Sequence, residues 1–232
     1  MNVPAPALHE LTARAECVGL AVRGAFHPAE DDELLLPAGR GIGTFVLLGF
    51  TGSVQWPRFL ASSEARDGLP DPLDRWSRRV IGALALEYSA AAAYPSGTPW
   101  LPFQRLAVRC EVVHSSPIGL LIHGRWGLWH AYRGALLLPS RIELDSPERG
   151  ASPCAACAGR PCLTTCPVDA FRGDGFDVSA CVTHVGSEAG LECRERGCLA
   201  RRACPVGAEF RYLDDQARFH TRAFLRTVAP PR

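Results

Sequence analysis

Four cysteines fall between positions 154 and 166, in CAACAGRPCLTTC, and a proline follows the last. Eight of the ten cysteines lie between 154 and 204. Thiols this dense are bridged, metal-bound or redox-active. Disulfide scaffolds are usually short and carry a secretory signal. This chain opens MNVPAPALHELTARAE, without a cationic start and an apolar core. Its apolar runs, TFVLLGF and GALLLP, are strand-sized, far below the roughly 18 residues of a membrane span. The expectation is a soluble cytoplasmic protein with no membrane partner, in which clustered cysteines bind metal or do redox chemistry.

The spacing of Cys154, Cys157, Cys162 and Cys166 is C-x2-C-x4-C-x3-C-P. Structural zinc takes two separated ligand pairs. The bacterial ferredoxin run, C-x2-C-x2-C-x3-C-P, is closer, and its fourth cysteine ligates the other cluster of a pair. A second run is therefore required. Cys181, Cys193, Cys198 and Cys204 supply it, and Pro205 repeats the Cys-Pro ending. The expected first [4Fe–4S] cluster takes Cys154, Cys157, Cys162 and Cys204; the second takes Cys166, Cys181, Cys193 and Cys198. Two zinc sites or two locally closed tetrads do not call for two Cys-Pro endings. The x4 gap, and x5 before Cys204, depart from the ferredoxin spacing.

Net charge is +1, and all 25 basic residues are arginine. That balance does not suggest a nucleic-acid footprint. The arginines of CRERGCLARRAC read as a solvated face more than as a docking patch. PSRIELDSPERGASP, 139–153, reads as a linker, which divides the chain into domains 1–145 and 146–232. The first reads as α+β. ECVGLAVRG and GIGTFVLLGF are strands. DPLDRWSRRVIGALALEY is a helix with Asp71 as cap and Leu73, Trp76, Val80 and Leu84 as its apolar stripe. PIGLLIHG and LWHAYRGALLLP read as a hairpin about GRWG. YLDDQARFHTRAFLRTV is a C-terminal helix packed by Leu213, Phe219 and Phe224. Cys17 and Cys110 read as buried free thiols.

PIGLLIHGRWGLWHAYRGALLLP, with DPLDRWSRRVIGAL and TPWLPFQRLAVR, resembles the CblC-type cobalamin-processing proteins, which have a nitroreductase-like fold. The resemblance implies a cobalamin pocket at Gly119, Ile122, His123, Gly127, Trp129, Arg133 and Gly134. Gly119 would allow close approach of the corrin, and Arg133 would anchor it; FMN is the alternative occupant. The cysteine module is similar to the dicluster ferredoxin part of epoxyqueuosine reductases and reductive dehalogenases, in which a lone cysteine, Cys181 here, precedes the second run. Together they imply a nitroreductase-like antiparallel-sheet domain followed by a small dicluster ferredoxin-like domain. The implied protein is an enzyme, an iron–sulfur oxidoreductase that reduces or processes a small-molecule corrinoid. Its electron donor would be a flavodoxin or ferredoxin reductase. The alternatives are a bare ferredoxin-type carrier and an epoxyqueuosine-reductase-like tRNA modification enzyme. The 28 residues after Cys204 are too few for an added RNA-binding repeat region, which ranks the tRNA reading last. No catalytic acid or base is assigned.

Overall fold

An uninterrupted apolar run must be buried on both faces. TFVLLGFT meets that demand: β2 (Thr44–Thr51) is buried along its whole length. The computed structural model describes residues 6–29, 32, 34, 41–98, 100–145, 150–172 and 175–228. Contacts divide the chain into two units, 1–112 with 130–149, and 113–129 with 150–232. Residues 146–149, where the linker and the sequence boundary meet, lie outside the described residues. A cut at 145/146 leaves 113–129 in the first domain; by contacts that segment belongs to the second unit.

In the first unit β2 pairs with β1 (Ala21–Phe26) and with β6 (His130–Leu138), and β6 also pairs with β3 (Ala91–Ala93). All three pairings are antiparallel, so the expected mixed α+β composition with an antiparallel sheet is present. Each long pairing carries a bulge. The register skips Arg23 between Val22 and Gly24 on β1, and Arg133 between Tyr132 and Gly134 on β6. Bulges re-aim a side chain. Arg23 is buried and donates to Glu111 at 2.7 Å. Arg133 pairs with Asp74 and donates from Nε to Ser77 Oγ at 3.1 Å. Burial pushes the Glu111 carboxyl above its usual range, and Tyr132 donates to it at 2.8 Å.

α3 (Pro72–Glu87) buries Leu73, Trp76, Val80 and Leu84, with Ser77, Ile81 and Ala85 beside them. Trp76 meets Phe50 edge-on at 5.7 Å and Phe59, on α2 (Trp56–Leu60), at 6.1 Å. Asp71 does not cap through its side chain; at φ 49° it is left-handed, and its carbonyl accepts from Arg75 N–H at 3.0 Å. Cys110, on α4 (Phe103–Cys110), is a buried thiol as expected. Cys17 is exposed instead, at the end of α1 (Leu8–Cys17).

Arg79 of α3 clamps Glu64, Nε to Oε1 at 2.5 Å and Nη2 to Oε2 at 3.0 Å. Chiefly through that hydrogen bond, the Glu64 carboxyl is held at about 2 against an ordinary 4.5. A depressed carboxylate stabilises the fold fully above its unfolded value and loses that as pH falls toward the folded one. The clamp should therefore weaken between pH 4.5 and about 2. Its worth is on the order of 1 kcal/mol, because solvent screens the largely exposed Arg79. In urea titrations Glu64→Gln should lower the midpoint at pH 7, and its effect should shrink steadily as pH falls from 4.5 toward 2.

In the second unit β4 (Val113–Ser115) pairs with β5 (Leu121–His123). This corrects the expected hairpin: β5 turns back on β4, and β6 belongs to the first sheet. The turn is Ser116-Pro117-Ile118-Gly119, closed by Gly119 N–H to Ser116 O at 3.0 Å, with Gly119 at φ 76°. The remaining elements are short. They are α5 (Pro161–Thr164), β7 (Phe171–Arg172), β8 (Gly175–Phe176), α6 (Val178–Gly186), α7 (Leu191–Arg196), α8 (Leu199–Arg202) and the longer α9 (Asp214–Val228). On α9 the buried residues are Gln216 and Ala217, whereas Leu213, expected to pack it, is exposed. Among the described residues no helix is long and apolar enough to cross a membrane.

Candidate metal centres

A unit of short helices buries little, and this one builds its core around its own thiols. Cys162 and Cys204 are buried with Ile118, Ile122, Leu128 and Ala200, and Cys154, Cys166, Leu163, Phe171 and Val206 pack against them. Local chemistry places five of the eight cysteines. Ser152 Oγ accepts from Cys154 N–H at 3.3 Å and caps the 3-10 turn Pro153–Ala155. Cys162 follows Pro161, which opens α5 after Arg160 in the left-handed region at φ 35°. Cys181 rides on α6, whose cap Asp177 accepts from Ala180 N–H at 2.8 Å. Cys193 sits in α7, and Cys198 caps α8.

The thiols form two groups. Cys154, Cys157, Cys162 and Cys204 line one mostly apolar cavity with about 20 Å³ of free volume. Burial raises the Cys162 thiol first, then the charges of Cys204, Cys154 and Cys157. Cys204 is raised by burial and by Cys154 and Cys157. In the other group Cys181 is pushed up to about 11, by burial and then by Cys198, Cys166 and Cys193. Cys193 and Cys198 both feel Cys166. Each group draws on both cysteine runs: Cys204 stands with the first, Cys166 with the second.

A single ion and a cube ask different things of such groups. Zinc holds thiolates at about 2.3 Å from a single centre. Among the described residues no three His, Cys, Asp or Glu side chains converge on a single-ion site. A cube meets each thiolate at a separate corner, and therefore takes ligands set further apart. Backbone amides also point at the sulfurs. Ala170 N–H donates to Cys166 Sγ at 3.3 Å. Desolvation raises Cys193 and Cys198 on balance, and Leu199 N–H opposes it at Cys193 as Arg201 and Ala200 N–H do at Cys198. Amide donors to sulfur are among the features that set cluster potentials.

The arginine run is engaged within its own unit. Arg201 donates to Leu128 O and lies 4.6 Å from the centres of both the Trp129 and Tyr212 rings. Arg202 meets Glu192 at 2.9 Å, Arg196 meets Asp214 at 3.4 Å, and Arg194 donates to Val185 O at 2.6 Å.

The residues carried over for cobalamin fall in both units. Gly119, Ile122, His123, Gly127 and Trp129 lie in the second unit, Arg133 and Gly134 in the first. Each has structural work there. His123 Nδ1 accepts from Arg125 and Trp126 N–H at 3.0 and 3.2 Å. Ile122 is core, and Trp129 is buried against Tyr212. A side chain on Gly134 would strike Ile81 and the Ala93 carbonyl at 2.6 and 2.7 Å. The turn of Gly119 and the packing of Gly127 had no signal in the resemblance itself; Pro117 two residues before Gly119 was the available turn signal.

No protein-family model matches the chain, and no curated protein matches it significantly. Solved structures do. The epoxyqueuosine reductase of Streptococcus thermophilus aligns at TM-score 0.49 and 16% identity, over 90% of this chain and 69% of that one. Epoxyqueuosine reductase bound to an epoxyqueuosine-modified tRNA-Tyr stem loop aligns at TM-score 0.46 and 15% identity, with coverages of 90% and 69%. A selenomethionine-labelled epoxyqueuosine reductase aligns at 0.48 and 15%, with coverages of 90% and 68%. These are distant likenesses of fold. None of the three is described as a cobalamin-processing protein, and the CblC resemblance gains no support from them. One expectation is corrected: a small-molecule corrinoid as partner, with nucleic acid set aside. The second structure holds a tRNA stem loop. Net charge is a poor ground for that exclusion, because it averages over faces that need not touch the ligand.

Proposed function

We propose that the chain is an iron–sulfur oxidoreductase with a nitroreductase-like sheet unit and a unit that carries two [4Fe–4S] clusters. Cys154, Cys157, Cys162 and Cys204 hold the first; Cys166, Cys181, Cys193 and Cys198 hold the second. The observation behind this reading is the sorting of eight thiols into two groups, each drawn from both runs. The clusters would supply one-electron chemistry at low potential, to about −700 mV in the extreme. The chain's own part is to hold them, aim amides at their sulfurs, and exclude water with Ile118, Ile122 and Leu128. For the substrate we take the reductive modification of an RNA base, in the manner of epoxyqueuosine reductases. The resemblance of the cysteine module, with Cys181 ahead of the second run, supports it over a bare carrier.

Anaerobically reconstituted protein should contain about eight iron and eight acid-labile sulfide per chain, from two cubanes. Two zinc ions without sulfide would overturn the iron–sulfur reading. The same protein should retard a fluorescent tRNA stem loop and not a DNA hairpin of equal length. Full metal content with no retardation leaves the bare carrier.

A further inference from the structure

The cavity of the first cysteine group is walled by apolar groups, among them Ile122, Leu128 and Val206. Ser116 is different. It lines the same cavity, is 8% exposed, and its Oγ is buried with no hydrogen-bond partner. Burying a hydroxyl without a partner is unfavourable, so a side chain held this way calls for an acceptor. Its backbone is fully engaged: Ser116 N–H donates to Leu120 O at 2.9 Å, and its carbonyl accepts from Gly119 at 3.0 Å. The Ser116-Pro117-Ile118-Gly119 turn thus fixes the residue and leaves only the hydroxyl uncommitted. Backbone amides serve some sulfurs in both groups, Cys204 in the first and Cys166, Cys193 and Cys198 in the second, and Ser116 is a further donor at the first.

Resting on the iron–sulfur reading above, we infer that Ser116 Oγ–H donates a hydrogen bond to a sulfur of the first cluster and raises its reduction potential. The physical reason is charge. One-electron reduction adds a negative charge to the cluster, and a donor aimed at its sulfur in a mostly apolar cavity stabilises the more negative form. No proton is transferred, and the electron is the only thing exchanged. Ser116 is a positioning and tuning residue. Its effect is to raise the potential of the first cluster alone, and so to change the gap between the two.

The test is an EPR-monitored redox titration of the full reconstituted chain. Ser116→Ala should keep the iron and sulfide of the wild type. It should move one midpoint to more negative potential and leave the other in place. Ser116→Thr, which keeps the hydroxyl, should hold the wild-type midpoint. In deuterated buffer, pulsed EPR of the wild type should show an exchangeable deuteron coupled to one reduced cluster, and Ser116→Ala should lack it. Unmoved midpoints with full metal content would overturn the inference and leave the iron–sulfur reading standing. If Ser116→Ala fails to fold, the wild-type deuteron signal decides, and its absence overturns the inference. A wild type without iron and sulfide fails at the underlying reading instead.

Discussion

Cys204→Ala is expected to remove about half of the iron and sulfide of the anaerobically reconstituted chain, about four of each, and to leave the other cubane's EPR signal intact. Cys204 lies far along the chain from Cys154, Cys157 and Cys162, yet it lines their cavity and raises the Cys162 thiol. Cys166→Ala should remove the complementary half, although Cys166 stands only four residues after Cys162. The double replacement should leave no cubane. The unit should also loosen, because in a small domain the binding energy of the metal is folding energy. If Cys166→Ala and Cys162→Ala erase the same signal, ligands close locally within each run and the crossed assignment fails.

Gly127→Ala should destabilise the second unit by about 3 kcal/mol. Gly127 has φ 56°, and a Cβ there would lie 1.9 Å from the Val206 carbonyl oxygen. Both the left-handed backbone and the contact exclude a side chain. Gly124, three residues earlier in the same motif, is the control: a Cβ there meets nothing within 4 Å. Gly124→Ala should change stability by less than about 0.5 kcal/mol. Urea unfolding, with hydrogen exchange read over 121–129, distinguishes them. Equal effects from the two would mean that 127 and 206 are not apposed.

Part of this was legible in the sequence for a clear reason. Thiol spacing is a local signal, and two Cys-Pro endings carry its long-range half, so Cys204 could be grouped with Cys162 before any fold was known. The apolar runs announced β2 and α3 equally directly. Strand partners were less accessible. PIGLLIHG holds a three-residue strand, and both SPIG before it and GRWG after it read as turns; only packing chooses between them. The bulges at Arg23 and Arg133 leave no trace in an alternating pattern, because one extra residue shifts the face of all that follows. Leu213 was misplaced for a related reason: helical periodicity marks it as apolar but not as covered, and α9 instead buries Gln216 and Ala217. The seven residues of the cobalamin resemblance form one contiguous motif in sequence, which concealed that the motif spans two units.

The assignment of 113–129 to the second unit has a consequence for how the chain is made. During synthesis Ile118, Ile122 and Leu128 leave the ribosome well before Ala200 and Cys204, with which they share a core. That apolar segment must wait, uncovered, for more than seventy further residues to emerge. A fragment ending at 145 would keep it uncovered permanently, and would precipitate or recruit chaperones. A chain stripped of 113–129 would instead allow 1–112 and 130–145 to fold as a soluble sheet. The natural dissection of this protein is therefore an excision from its middle, with a short bridge joining Val112 to His130.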